Sequence, residues 1–364
     1  MIHIAIGTKA QFIKMAPIMR RLQESGIAYN LIDLGQHSLI TRDLRQEFGL
    51  KDPDVVLSGG QNVARLLQGI KWLSGLFLKG LDKSWVKDKV FRGLSGVCLI
   101  HGDTVSTLLA LYLAKRAGLL VAHVEAGLRS YNIWEPFPEE IVRLVAMRFS
   151  DILFAPSAWA KDNLHKMGYG AKTILIPGNT SLESTFYSLN KPKPAGLDLP
   201  AQYALVTVHR MENIFSRDRL AMVVGLIEKI SQKLPIVFVQ HQPTIIQLAK
   251  FGLKDRLDEV GNIRFFQILS HCHFIHLLND AQFAVTDGGS IQEESFYLGK
   301  PCLLLRTHTE RTEGLGQNVV ICGFSQVVAE DFINRYDSFN RQKAGLAQVL
   351  PSAAIINDLL GRKL

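Results

Sequence analysis

"VCLIHGDTVSTLLALYLAKRAGLLVAHVEA", residues 97–126, decides the fold. Two runs that are apolar almost throughout, "VCLIH" and "LLVAHV", flank the helix-like "TVSTLLALYLAKRAG". A strand with no polar alternate face is buried on both sides, and a helix between two such strands implies a parallel pair. Each run ends on an acid, Asp103 and Glu125. In open α/β sheets ligands sit beyond the carboxyl ends of the strands, so neighbouring parallel strands carry both carboxylates to the edge where chemistry is expected.

The same rhythm extends outward. "HIAIG", "YNLIDLG", "DILFAP" and "KTILIPG" complete the first half, and "YALVTVH", "PIVFVQH", "IRFFQ", "QFAVTDGG" and "PCLLLR" repeat it in the second. At 364 residues the chain exceeds what one core usually serves. The Pro- and Lys-rich "NKPKPAGLDLP", residues 190–200, lacks periodicity and reads as a linker. The expected architecture is α/β: two doubly wound, Rossmann-like parallel-sheet domains, 1–189 and 201–346, with an interdomain cleft.

Composition narrows the function. Hydrophobic residues at 47% and charged ones at 20% describe a folded protein. The net charge of +8 admits nucleic acid, a membrane surface or an anionic small substrate as partner. No zinc spacing, aromatic-rich RNA signature or long basic block supports nucleic acid. The basic and apolar stretch 71–93 is read as a helix with a core face and solvated lysines, the alternative being contact with a membrane surface or partner. The Met1 end shows no signal-peptide succession, no apolar run reaches bilayer-spanning length, and Cys98, Cys272, Cys302 and Cys322 read as reduced core residues. Together these predict a cytoplasmic location.

"TDGGSIQEE", residues 286–294, leaves a strand and opens a helix. Gly288 and Gly289 permit close approach of a ligand, Ser290 is placed to cap the helix, and free N–H groups at its start suit a phosphate. Glu294, one turn on from Ser290, is placed for ribose hydroxyls. Lys9, Lys14, Arg210 and Arg311 near strand ends balance a diphosphate. Dinucleotide and Walker A fingerprints are absent, so no nicotinamide or ATP chemistry is indicated. The adjacent His271, Cys272 and His273 point in different directions on a helix, and no metal site is assigned. Glu139 follows the turn "EPFPEE", with Arg143 at i+4 to hold it, while Glu135 and Glu140 are read as solvated or capping residues. His209 ends the first strand of the second half and adds a base to the acids. On spacing alone, a structural network of buried ion pairs explains these residues equally well.

Taken together, "GTKAQFIKMAPI", "HGDTVSTLLA", "HVEAGLRSYNIWEPFPEE", "VHRMENI", "SIQEES" and "TERTEG" resemble, in collinear order over about residues 1–325, the non-hydrolysing UDP-N-acetylglucosamine 2-epimerases, a family with the GT-B fold. The resemblance implies C2 epimerisation of a UDP-2-acetamido sugar, through loss of UDP to a 2-acetamidoglucal and re-addition, without a cofactor. It matches Asp103, Glu125 and Glu139 to catalytic carboxylates, and Lys14, Arg143 and His209 to residues that position substrate or stabilise charge. Gly288, Gly289, Ser290, Glu294 and Arg311 match the UDP-binding set, with His241 and Gln61 in the cleft. It also implies a homodimer and a tail, 347–364, that packs back on the first domain. Related alternatives are a hydrolysing 2-epimerase, an epimerase of another UDP-2-acetamido sugar or uronic acid derivative, and a GT-B glycosyltransferase.

Three departures stand out. The family's "GTRPE" is "GTKAQ" here, so Lys9 keeps a charge without the forked donors of arginine. "TDSGGIQEE" becomes "TDGGSIQEE", which moves the hydroxyl. The family's allosteric "QHREM" becomes "QHSLI", Gln36 to Ile40, and puts activation by UDP-N-acetylglucosamine in question.

Overall fold

The computed structural model of the chain describes all residues except 36–37, 58–65, 134–136, 347 and 363–364, together with the side chains of 38–41 and 66–72. Gln61, Gln36 and His37 therefore lie outside the described residues, as do the side chains of 38–40. The chain forms two compact units, Met1–Ser184 with Leu346–Leu364, and Thr185–Gly345.

The first unit is built on a parallel sheet in the order β3-β2-β1-β4-β5-β6-β7. Its strands are β1 Ile2–Ile6, β2 Tyr29–Asp33, β3 Val55–Val56, β4 Val97–His101, β5 Leu120–Val124, β6 Ile152–Ala155 and β7 Thr173–Leu175. β1, β2 and β4 are buried at every position, as two-sided coverage by helices requires. Each fully buried Ile, Leu or Val, such as Ile4, Leu99 and Val121, contributes about 1.5–3 kcal/mol. The second unit repeats the plan in the order β10-β9-β8-β11-β12-β13. These are β8 Ala204–Thr207, β9 Ile236–Val239, β10 Ile263–Phe266, β11 Phe283–Thr286, β12 Cys302–Leu304 and β13 Val319–Ile321.

In both sheets the strand order reverses beside the first strand of the unit, between β1 and β4 and between β8 and β11. Helices leave on opposite faces there, so the crevice opens at the carboxyl ends of those pairs. Gly7, after β1, makes the first crevice close-fitting. A Cβ at this position would lie 2.2 Å from Ser106 Oγ at the start of the helix Val105–Ala117.

Within 71–93, Leu76, Val86, Val90 and Phe91 are buried in the first core, while Lys79, Lys83, Lys87 and Lys89 are exposed. The core face predicted for that stretch is thus present. The chain passes from one unit to the other within the helix Ser181–Leu189. Leu197 and Leu199, from the stretch read as a linker, pack against the second core. The helix Pro351–Gly361 returns to the first unit and buries Pro351, Ser352, Ile355, Ile356 and Leu359. Ser352 N and Oγ donate to Glu183 at 2.7 and 2.6 Å, and Arg21 Nε donates to Ser352 Oγ at 2.9 Å. Among the described residues no helix is long and apolar enough to cross a membrane.

Candidate active site

Pairing of β4 with β5 runs in register from Val97↔Leu120 to His101↔Val124. Each strand is then followed by its acid. Gly102 turns the chain at φ 67°, and its N–H donates to Val124 O at 3.2 Å, leaving Asp103 just past the sheet edge. Glu125 adopts φ 68°. A side chain in this left-handed region costs about 1–3 kcal/mol of backbone strain. That conformation turns the carboxylate from the strand line onto Lys14, which lies on the helix Lys9–Glu24.

Glu125 Oε2 accepts from Lys14 Nζ and from Asn179 Nδ2, and His101 Nε2 stands 3.8 Å away. All four side chains are buried. Asp103 accepts from Arg143 Nη2, and 24% of its side chain stays exposed. Asp103 is therefore the better placed of the two acids to meet a substrate. Arg143 Nη1 donates to Glu140 Oε2 at 2.5 Å. Glu140 also accepts from Arg129 Nε at 2.5 Å and Ser130 N at 3.1 Å. The expectation that Glu140 is solvated or caps its helix is thus corrected. It is fully buried on the inward side of the helix Glu139–Phe149 between two arginines, whereas Glu139 is half-buried at the start of that helix. Glu135 and Pro136 lie outside the described residues, and the Phe137–Pro138 bond is cis.

Beneath the acids lie two neutral imidazoles. Burial lowers His101 from 6.5 to about 3 and His123 to about 4, outweighing the upward pull of Asp103 and Glu125. His123 Nε2 donates to Gly102 O at 2.8 Å. In the unfolded chain both rings gain a proton below about pH 6.5, so the unfolded state binds more protons from there down to the folded values. The stability these rings contribute is complete above that pH and is lost as pH falls. Between about pH 6.5 and about pH 5 the unfolding free energy should drop by about 2 kcal/mol per ring. Urea unfolding across this range measures the slope, and His123→Gln should flatten it. An unchanged slope in that variant would assign the acid sensitivity elsewhere.

In the second unit the switch point between β8 and β11 is organised by Asp287, which is fully buried. Its carboxylate accepts from His209 N at 3.1 Å, Arg210 N at 2.9 Å and Asn213 Nδ2 at 3.0 Å, which fixes the loop after β8. The His209 ring stacks on His241 with centroids 4.3 Å apart at 16°. Burial pushes His209 down, and Asp287, 3.4 Å from Nδ1, pulls it up. The glycines admit neighbouring side chains: a Cβ on Gly288 would come within 3.2 Å of His209, and one on Gly289 within 2.8 Å of Arg311 Nε. Arg311 Nη1 donates to Glu293 at 2.5 Å, and Arg306 donates to the buried Glu310 at 2.8 Å. Arg210 Nη2 and Arg311 Nε each approach Glu310 at 3.8 Å. Three arginines thus gather around one turn.

Ser290 does not cap the helix. The helix Gly289–Tyr297 begins earlier than expected, with Gly288 as N-cap, and Ser290 falls inside its first turn. Thr286 Oγ1 accepts from Gly288 N at 3.0 Å instead. Glu294 is buried, with Oε1 3.2 Å from His271 Nε2. The other polar groups of "SHCHFIH" are engaged separately: Cys272 Sγ with Ser188 O, His273 Nδ1 with Ser270 Oγ and His276 Nε2 with Lys191 O. Among the described residues no cluster of three His, Cys, Asp or Glu is arranged to hold a metal ion.

The first unit therefore gathers Lys14, Asp103, Glu125 and Arg143, with Lys9 half-buried at the start of its helix. The second gathers His209, Arg210, His241, Gly288, Gly289 and Arg311. Asn179, Arg129, Asp287, Glu293 and Glu310 escaped the sequence reading. Asp287 carried the same strand-end signal as Asp103 and was recoverable, while Asn179 arrives from beyond β7 by tertiary folding alone. Gln11, in the departure "GTKAQ", is a further surprise. Its amide accepts from Gly7 N and Thr8 N and donates to His101 O and Thr107 Oγ1, which a carboxylate cannot do without a proton.

A family model described as UDP-N-acetylglucosamine 2-epimerase matches residues 20–351. The UDP-N-acetylglucosamine 2-epimerase of Methanocaldococcus jannaschii is 32% identical over 334 residues, 88% of this chain and 88% of that one. The UDP-2,3-diacetamido-2,3-dideoxy-D-glucuronate 2-epimerase of Pseudomonas aeruginosa is 30% identical over 339 residues, 90% of this chain and 88% of that one. The crystal structure of UDP-GlcNAc 2-epimerase from Neisseria meningitidis bound to UDP-GlcNAc shares the fold, with a TM-score of 0.84 at 26% identity over 99% of this chain and 100% of that one. Matched by the family model over most of its length and by relatives at 30% identity or more, the chain belongs to the UDP-N-acetylglucosamine 2-epimerase family.

Proposed function

We propose that the protein epimerises C2 of a UDP-2-acetamido sugar, interconverting UDP-N-acetylglucosamine and UDP-N-acetylmannosamine without net hydrolysis. The observation that supports this most strongly is the pair of carboxylates ending neighbouring strands, each beside its own buried cation: Asp103 with Arg143, and Glu125 with Lys14. The C2 proton is not adjacent to a carbonyl, so removing it alone is unfavourable. In the proposed reaction the C2–H pair becomes a C1–C2 double bond while the C1–O bond breaks and its electrons leave on the UDP oxygen. The acetamidoglucal then takes a proton on the opposite face of C2, and UDP re-adds at C1. No oxidant is consumed.

Asp103, with Glu125 and Glu139, handles the proton, and Arg143 and Lys14 hold the acids in place. Arg210, Arg311, His209, His241 and the turn Gly288–Ser290 bind UDP and stabilise it as the leaving group. Incubation with UDP-N-acetylglucosamine in D₂O, followed by NMR, tests this. Deuterium at C2 with a manno product is the expected result. Free N-acetylmannosamine with UDP would move the assignment to hydrolysis. The similarity to the Pseudomonas aeruginosa uronate epimerase favours a UDP-2-acetamido uronate as the second substrate to try if C2 does not exchange.

A further inference from the structure

A chain of three side chains lies in the second unit behind the turn that carries Gly288 and Gly289. Ser188, near the end of the helix Ser181–Leu189, places Oγ 2.8 Å from His271 Nδ1. His271, the first residue of the helix His271–Asp280, places Nε2 3.2 Å from Glu294 Oε1. Exposure is 0% for Ser188, 3% for His271 and 5% for Glu294. A carboxylate offers only lone pairs, so Nε2 carries the hydrogen and donates, while Nδ1 faces the Ser188 hydroxyl. One oxygen of Glu294 is thereby committed. The other, Oε2, takes no hydrogen bond from any described residue.

A buried carboxylate with an oxygen to spare strongly favours a hydroxyl donor, because hydrogen bonds to a charged acceptor are the strong class. Its position agrees with this. Glu294 follows Ser290 by four residues, about one helical turn or ~5.4 Å along the axis. A diphosphate at the start of the helix would set its nucleoside sugar near that point. The side chain of glutamate has several rotatable bonds, and freedom not frozen before binding must be frozen during it.

We propose that His271, braced by Ser188, holds the Glu294 carboxylate so that Oε2 receives a ribose hydroxyl of UDP, which makes His271 a positioning residue for discrimination between ribose and 2′-deoxyribose. This rests on the UDP-sugar reading of the site. The three residues act as a sequence: the hydroxyl fixes the ring, the ring fixes the carboxylate, and the carboxylate selects the sugar. A site built to bond a hydroxyl rejects the analogue that lacks it, because its buried group is then left unmet.

Calorimetric titration of the full-length protein with UDP and with 2′-deoxyuridine diphosphate tests the proposal. The wild type should prefer UDP by about tenfold or more. In His271→Phe the preference should fall to about twofold, with affinity for the deoxy ligand unchanged within about twofold. His271→Gln, whose amide N–H still donates, should retain most of the preference. Ser188→Ala should lower it to about threefold, and decides the matter if circular dichroism shows that His271→Phe does not fold. Preference unchanged in His271→Phe or, failing that, in Ser188→Ala overturns the inference. So does an equal loss of both ligands, which marks a merely structural role. A wild type that binds UDP without sugar preference overturns it too, whereas one that binds neither ligand overturns the UDP-sugar reading itself.

Discussion

Asp103→Asn is expected to slow deuterium incorporation at C2 by about 10²–10⁴-fold while UDP affinity stays within about twofold. Asparagine keeps the shape of the side chain and can still accept from Arg143, but it cannot carry a proton. Arg143 remains tied to Glu140, and Glu140 to Arg129, so the wall around position 103 has no reason to move. The groups assigned to UDP lie in the other unit, where Asp287 and Glu310 organise them independently of Asp103. Exchange followed by NMR, beside titration with UDP, separates the two effects. Exchange within tenfold of wild type, or parallel loss of UDP binding, would remove Asp103 from its proposed role.

Lys14→Met should destabilise the first unit by about 3–5 kcal/mol. Lys14 is 4% exposed and Glu125 is 4% exposed, so neither has water as an alternative partner. Removing the cation leaves a buried carboxylate that keeps the Asn179 amide as a donor and His101 as a neighbour, an imidazole that burial holds neutral. The measurement is a double-mutant cycle in urea with Glu125→Gln. The double variant should recover most of the loss, because a neutral amide at position 125 needs no cation and methionine fills the space of the lysine stem. If the two single changes simply add, the pair is not coupled and the assignment of Lys14 as the counter-charge of Glu125 fails.

The parallel sheets were legible because their strands are apolar throughout, and the closeness of Asp103 to the end of β5 followed from register alone. What escaped reading has physical causes. β3 is two residues long, too short for any periodicity to register. Glu139 and Glu140 differ by one position, yet one step on a helix turns a side chain by about 100°, and the phase is unknown until the helix start is known. The same uncertainty misplaced the cap at Ser290. Asn179 sits 54 residues from Glu125, a partnership that no local pattern encodes. The left-handed backbone at Glu125 is equally silent, since residue type there suggests an ordinary strand end.

The return of the helix Pro351–Gly361 to the first unit has a consequence for biosynthesis. Although it comes first in the chain, the first unit is not completed first. The segment Thr185–Gly345 is synthesised and free to collapse while the apolar surface awaiting Ile355, Ile356 and Leu359 is still uncovered. Domains usually finish in the order in which they leave the ribosome. Here the second unit is made as an insertion within an unfinished host, and the unit that carries Asp103 and Glu125 closes only after the unit that carries Asp287 has been translated.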